Sequence, residues 1–177
     1  MIGSLPYRLH YASDIAIFSD VPEKPRRRSG CPVSISLDTL GDRWSLLVIR
    51  DLMVRGYTRF KQFEESDERI ATNILAERLR RLQRNGLVVA EPDKNDRRRT
   101  SYRLTEKGID LAPLLLDLLV WGAQHEQTMA PAELIAQLAQ NREGIIAEVR
   151  RRWLDRDLTP LIPSFGNQAA QRKAKKR

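Results

Sequence analysis

In 177 residues there is one cysteine, Cys31, and two histidines, His10 and His125. A single thiol excludes an internal disulfide framework and cannot by itself cage a zinc ion, and the two histidines share no ligand spacing. No metal or other cofactor is expected. No apolar run approaches the about eighteen residues that a membrane helix needs, and the first residues lack a basic-then-apolar signal pattern. The expectation is a cytoplasmic protein without a membrane partner. A glycine-rich phosphate loop is missing, no spacing suggests a nucleophile and its base, and histidine is too scarce for ordinary acid-base chemistry. The chain is therefore expected not to be an enzyme.

What is present is charge, and its distribution matters more than its sum. The formal net charge is +8, but the triplet Arg26–Arg28 and the run Arg172, Lys173, Lys175, Lys176 and Arg177 account for all of it. The rest of the chain is neutral overall. Net charge alone therefore does not argue for a polyanionic partner, and local clustering has to carry that argument. A hydrophobic content of 41% supports a real but modest core.

Four regions are expected. Residues 1–30 mix aromatics, three prolines and the arginine triplet without periodicity, which predicts a flexible N-terminal arm. Residues 31–127 hold the domain, residues 128–158 a helical extension, and residues 159–177 a basic disordered tail. Within the domain, Val33, Leu37 and Leu40 predict a short helix that Gly41 ends in a left-handed conformation. Asp42 caps a second helix with a stripe of Trp44, Leu47, Val48 and Leu52, closed by Gly56. "YTRF" is too short for more than an isolated extended pairing, and "KQFEESDER" reads as a short helix with Phe60 and Phe63 inward. In "IATNILAERLRRLQRNGL" Leu75, Leu79 and Leu82 share a face, and Asn85-Gly86 stops the helix. Two short strands, "LVVAEP" and "TSYRLT", flank the turn "DKNDRRR". Thr105 and Glu106 begin a long, strongly apolar helix containing Pro113, and a further helix spans about 131 to 155.

This order is a winged helix-turn-helix plan, mainly α with a small β-hairpin (α+β), with terminal helices available for dimerisation. The outer face of the fourth helix offers Thr72, Asn73, Ala76, Glu77, Arg80 and Arg84 to base edges in a major groove of double-stranded DNA. The hairpin tip offers Lys94, Arg97, Arg98 and Arg99 to the flanking backbone or minor groove. Thr58 and Arg59, just ahead of the third helix, are candidate phosphate donors. Bland alternatives stand beside these. A charged tip is commonly just solvated, and Arg78 and Arg81 flank the apolar stripe, where internal ion pairs suit them. Glu77 can accept from a cytosine amino group or pair with Arg80 or Arg81.

The segments "CPVSISLDTLGDRWSLLVIRDL", "RFKQFEE", "ILAERLRRLQRNGLV" and "YRLTEKG" carry Cys-Pro, Gly-x-x-Trp and Leu-Thr-x-x-Gly in register. Over about residues 31 to 125 they resemble the HxlR family of bacterial winged-helix transcription factors. The resemblance implies a homodimer on a palindromic operator, acting as a repressor, with terminal helices at the interface. Ala71 stands where the family often has a serine cap, so either Thr72 takes that role or the helix begins one residue later. The turn "DKNDRRR" is closer to the wing of the MarR family, which implies an arginine, Arg97 or Arg98, steadied by Asp93 or Asp96. The resemblance also implies a redox or electrophile sensor at Cys31. A helix N-terminus with nearby cations would lower the thiol pKa, whereas a buried cysteine would be inert. Other readings stay open: a MarR-like regulator controlled by a small-molecule ligand, or a winged-helix module for protein contacts. The effector itself is not legible.

Overall fold

The computed structural model describes residues 29–93 and 96–162. The basic triplet, Lys94 and the basic run at the C-terminus therefore lie outside the described residues. The elements in order are α1 (Pro32–Leu40), α2 (Arg43–Val54), α3 (Phe60–Glu64), α4 (Thr72–Arg84), β1 (Val88–Pro92), β2 (Thr100–Leu104), α5 (Glu106–Ile109), α6 (Ala112–His125), α7 (Ala132–Gln140) and α8 (Arg142–Asp155). β1 and β2 form an antiparallel pair with Val88 opposite Leu104 and Pro92 opposite Thr100. Proline is tolerated there because it sits at the end of a two-stranded ribbon.

The core of the domain is built from Ile49 of α2, Phe63 of α3, Leu75, Leu79 and Leu82 of α4, Leu104 of β2 and Ile109 of α5, all essentially buried. Each such side chain contributes about 1.5 to 3 kcal/mol by leaving water. Phe63 meets Tyr57 and Tyr102 edge-on, with ring centroids 5.8 and 6.5 Å apart. The isolated pairing expected of "YTRF" is one bond, from Tyr102 N–H to the Thr58 carbonyl at 2.7 Å.

Local sequence explains the ends of α4. Asn85 N–H bonds the Arg81 carbonyl, Gly86 N–H that of Gln83 and Leu87 N–H that of Leu82. Gly86 has φ +67°, so this is a glycine-closed Schellman turn. The Leu-Thr-x-x-Gly motif then locks the hairpin onto that turn. The Thr105 hydroxyl caps α5 by accepting from Gly108 N–H at 3.1 Å and donates to the Gly86 carbonyl at 2.7 Å. Gly108 lies so close to the Leu87 carbonyl that any Cβ would collide with it.

Several expectations fail, each for an identifiable reason. Gly41 ends α1 with φ −71°, not in the left-handed region; a side chain there would strike the Leu37 carbonyl. The buried face of α2 is rotated toward Ser45, Val48, Ile49 and Asp51. Polar residues are hidden there because they are satisfied: Asp42 caps the helix from Ser45 N–H at 3.0 Å and takes the Ser45 hydroxyl at 2.6 Å. Asp51 is held by Arg50 and Arg55. The single helix expected from Thr105 is two, because Pro113 lacks an N–H and its ring opposes the carbonyl four residues back, Ile109, where α5 stops. The helix of about 131 to 155 is likewise two, broken at Asn141. Finally, the expected disordered tail does not begin at 159. Leu161 and Ile162 both direct N–H groups to the Val54 carbonyl, and Ile162 is buried with Leu116, Ile135 and Leu138 in a second apolar cluster.

Candidate nucleic-acid interface

α4 stands against α2, α3 and β1, with Leu75, Leu79 and Leu82 fixing its rotation. That rotation leaves Thr72, Asn73, Arg80 and Arg84 exposed and Ala76 and Glu77 half-buried along the outer face. The six predicted residues are thus brought together on one side of one helix. Ala71 is the N-cap and contributes no side-chain bond, while the Thr72 hydroxyl donates to Glu64 Oε1 at 2.6 Å. Both expectations about the cap are therefore overturned: the helix starts at Thr72, and Thr72 ties it to the end of α3.

Arg78 and Arg81 do internal work. Arg78 Nε lies 2.9 Å from Asp42 Oδ1, and Arg81 reaches the Asp38 carbonyl and, at 3.9 Å, Asp42 Oδ2. Burial pushes the Asp42 carboxyl up, but the Ser45 bonds and these two arginines outweigh it and hold the group below its usual range. Glu77 pairs with Arg78 Nη1 at 2.6 Å rather than with Arg80 or Arg81. The connection Glu77–Arg78–Asp42 therefore joins the outer face of α4 to the cap of α2.

The hairpin tip is braced at its base. Asp93 N–H bonds the Arg99 carbonyl at 2.8 Å and Arg99 N–H bonds that of Asp96 at 2.9 Å. Asp93 is buried, accepting from Asp96 N–H at 3.2 Å and from Arg59 Nε at 2.9 Å. Arg59 is thus the wing's brace, and a phosphate contact from it has to use its outer nitrogens. Thr58 and Arg59 both donate backbone N–H to Gln62 Oε1 at 2.9 Å, which sets the start of α3 beside the wing. Asp96 pairs with two of the tip arginines, Arg98 Nε at 3.3 Å and Arg99 Nε at 3.2 Å. The Arg98 side chain is 92% exposed, and Arg97 is exposed beside it. Burial raises the Tyr102 phenol pKa, and the nearby Arg80 charge opposes that rise.

What sequence reasoning missed is a clamp behind the wing. Trp153 Nε1 donates to the Leu104 carbonyl at 2.8 Å, Arg103 stacks on the Trp153 ring at 4.7 Å and donates to the Trp153 carbonyl at 2.8 Å. Arg156 pairs with Glu91 at 2.9 Å. One end of α8 therefore grips both strands. The partners lie 49 to 65 residues apart in sequence, so no local pattern announces them.

Cys31 is exposed and is the N-cap of α1, with Pro32 following as the first helical residue. Its side chain makes no cap hydrogen bond, but the nearby main-chain N–H groups of Ser34 and Val33 hold the thiol pKa below its ordinary value. Val33 and Leu37 of α1 and Leu114, Leu118 and Trp121 of α6 are large apolar side chains left about half or more exposed. Among the described residues no cluster of His, Cys, Asp or Glu could hold a metal ion, and no helix is long and apolar enough to cross a membrane.

Comparison with known proteins agrees with this geometry. Residues 39–130 match the HxlR-like helix-turn-helix family. The HTH-type transcriptional regulator YdeP of Bacillus subtilis (strain 168) is 32% identical over 104 residues, 59% of this chain and 80% of that protein. YodB, an HTH-type transcriptional regulator of the same organism, is 35% identical over 95 residues, 53% of this chain and 84% of that one. The crystal structure of PA1607, a protein proposed to be a transcription factor, superposes with TM-score 0.53 at 42% identity over 60% of this chain and 71% of that chain. With a family match across more than half of its length, and with helix-turn-helix and hairpin in the arrangement that match requires, this chain belongs to the HxlR-like helix-turn-helix family of DNA-binding transcriptional regulators.

Proposed function

We propose that the protein is a cytoplasmic homodimer that binds a palindromic operator and represses by occupying it. The observation that carries this reading is the placement of an exposed polar face on α4 beside a hairpin whose tip arginines are held outward by Asp96. α4 reads bases in the major groove, and the wing neutralises flanking phosphates. The exposed apolar side chains of α1 and α6 give the dimer its contact, and two-fold symmetry sets the recognition helices about 34 Å apart, one turn of DNA.

The division of labour is testable. Arg98→Ala is expected to weaken specific and nonspecific duplex alike and to reduce the salt slope by about one for each phosphate that the side chain neutralises. Asn73→Ala is expected to cost about 1 to 3 kcal/mol of discrimination between sequences and to leave the salt slope unchanged. Duplexes for both come from selection of bound fragments out of random or genomic DNA. Equal losses with unchanged slopes would refute the assignment, and a folded dimer that enriches no fragment would favour the protein-contact module.

Cys31 supports a second element of the proposal, control by oxidants or electrophiles. Its exposure and the main-chain N–H groups of the first turn of α1, which lower its pKa, favour the thiolate, the reactive species. Since Cys31 is the sole cysteine, a disulfide has to join two protomers or capture a small thiol. The expected result is that iodoacetamide alkylates Cys31 at pH 7 faster than it alkylates free cysteine, and that mild oxidation changes operator binding by the parent but not by Cys31→Ser. If the variant responds like the parent, Cys31 is not the sensor.

A further inference from the structure

We propose that Trp153 and Arg156, at the end of α8, are positioning residues for DNA binding: they hold the hairpin at the tilt its tip needs before any duplex arrives. This rests on the DNA-binding reading above, and it adds the residues that set the attitude of the wing. The tip arginines stand at the far end of a two-stranded ribbon, and such a ribbon by itself is only marginally stable. A cleft of about 790 Å³ lies between the hairpin, the start of α3 and the end of α8, with Tyr57, Arg59, Tyr102 and Trp153 on its walls. The hairpin is therefore not packed solidly on this side, and a few discrete contacts across the cleft decide its tilt.

Those contacts fall on one face of the hairpin. Val89 lies opposite Arg103 and Glu91 opposite Ser101, so Arg103 and Glu91 share a face, and α8 takes both. The Trp153 indole N–H donates to the Leu104 carbonyl at 2.8 Å, its carbonyl accepts from Arg103 at 2.8 Å, and its ring carries the same guanidinium at 4.7 Å. Arg156 reaches Glu91 at 2.9 Å, two residues ahead of Asp93, the buried carboxylate that accepts from the tip turn. From α3 the matching brace is Arg59 on that same Asp93. The wing is thus held from α3 at its tip turn and from α8 along both strands.

The helix does not need the hairpin to stay in place. Val149 is buried in the core of the domain, Ile145 packs against both apolar clusters, and Arg150 pairs with Asp110. The side chains of Arg156 and Glu91 are 40% and 32% exposed, where an ion pair adds little stability. Yet Arg156 takes a left-handed conformation, φ 55°, to close α8, a place that glycine fills with less strain. What arginine supplies there and glycine lacks is the reach to Glu91. A wing already held has less freedom to lose on binding, so the clamp strengthens the complex without touching DNA. Trp153 and Arg156 lie beyond residue 130, where the family match ends, so the device belongs to this chain's extension.

The test uses the full-length protein and the selected duplex, with anisotropy read across a salt series. Trp153→Phe keeps a ring and removes the bond to Leu104, while Glu91→Ala removes the pair with Arg156 and a negative charge from the hairpin. Binding is expected to weaken about fivefold for Trp153→Phe and about threefold for Glu91→Ala. The salt slope should stay unchanged in both, because no phosphate contact is lost. For Glu91→Ala the sign is decisive, since charge alone would tighten binding to a polyanion. Arg156→Ala is expected to match Glu91→Ala, and Arg156→Lys to restore most of the loss. In the free protein the Tyr102 amide, which ties the hairpin to the Thr58 carbonyl, should exchange at least about threefold faster in Trp153→Phe and Glu91→Ala, with the Leu79 and Leu82 amides of α4 unaffected. Parent-like affinity in folded variants, even with a lowered melting temperature, shows that the clamp only stabilises α8 and overturns the proposal. Tighter binding by Glu91→Ala, or an unchanged Tyr102 exchange rate, overturns it as well. A slope flattened by Arg156→Ala but not by Glu91→Ala makes Arg156 a phosphate contact and overturns its positioning role. If Trp153→Phe fails to fold, Glu91→Ala decides. A parent that binds no duplex overturns the DNA-binding reading and the proposal with it, whereas variants equal to a parent that binds overturn the proposal alone.

Discussion

Replacing Arg97, Arg98 and Arg99 together by alanine is expected to reduce affinity for any duplex by at least about a hundredfold near 0.1 M salt. It is also expected to flatten the dependence of log Kobs on log salt by about 0.9 for each phosphate no longer neutralised, which for a dimer with two or three such phosphates per wing amounts to about four or five. The fold should survive. All three side chains are exposed; the Asp96 ion pairs of Arg98 and Arg99 are lost, but the main-chain bonds between Asp93 and Arg99 and between Arg99 and Asp96, and the bonds to the Asp93 carboxylate from Asp96 N–H and Arg59, do not depend on them. Surface changes of this kind cost about 0.5 kcal/mol or less each. Filter binding or anisotropy across a salt series, with urea unfolding alongside, separates the two effects. An unchanged slope would mean that the wing is only a solvated hairpin.

The second large effect concerns stability. Gly56 has φ +70°, and a Cβ on it would collide with the Leu158 carbonyl. Gly56→Ala therefore combines the cost of a left-handed alanine, about 1 to 2 kcal/mol, with displacement of the segment that puts Leu161 and Ile162 on the Val54 carbonyl. Two hydrogen bonds at about 1 kcal/mol each and the burial of Ile162 are at stake. A loss of about 3 to 5 kcal/mol in urea unfolding is expected. Gly86→Ala is the control: φ is +67°, but a Cβ meets nothing within 4 Å, so only the conformational cost of about 1 kcal/mol applies. Equal losses at the two positions would show that residues 158–162 are not docked on α2.

These two glycines also mark where local pattern stops being informative. Asn85-Gly86 is legible as a stop because the requirement for φ above zero is local. Gly56 is legible as the end of α2 for the same reason, but its dependence on Leu158 spans about a hundred residues and leaves no periodicity. The same contrast runs through the site. The polar face of α4 is readable because Leu75, Leu79 and Leu82 define its opposite by helical spacing alone. The fate of individual polar side chains is not. Arg59 reads as a phosphate donor and braces Asp93, Thr72 reads as a cap and binds Glu64, and Glu77 pairs with Arg78. Which partner a flexible charged side chain takes is settled by elements packed beside it, and several partners are of similar energy until the fold picks one.

The sequence by itself determined the helix-turn-helix and hairpin order, the exposed face of α4, the basic tip of the wing and the placing of the single thiol at the start of α1, because each follows from the 3.6-residue or 2-residue period and from turn chemistry. Only the tertiary structure decided that Cys31 is exposed, that Asp96 pairs with tip arginines, that Pro113 and Asn141 divide the terminal helices, that residues 158–162 return to α2, and that the end of α8 clamps both strands of the wing. Those depend on how segments distant in the chain pack together, and that is fixed only once the buried faces have chosen one another.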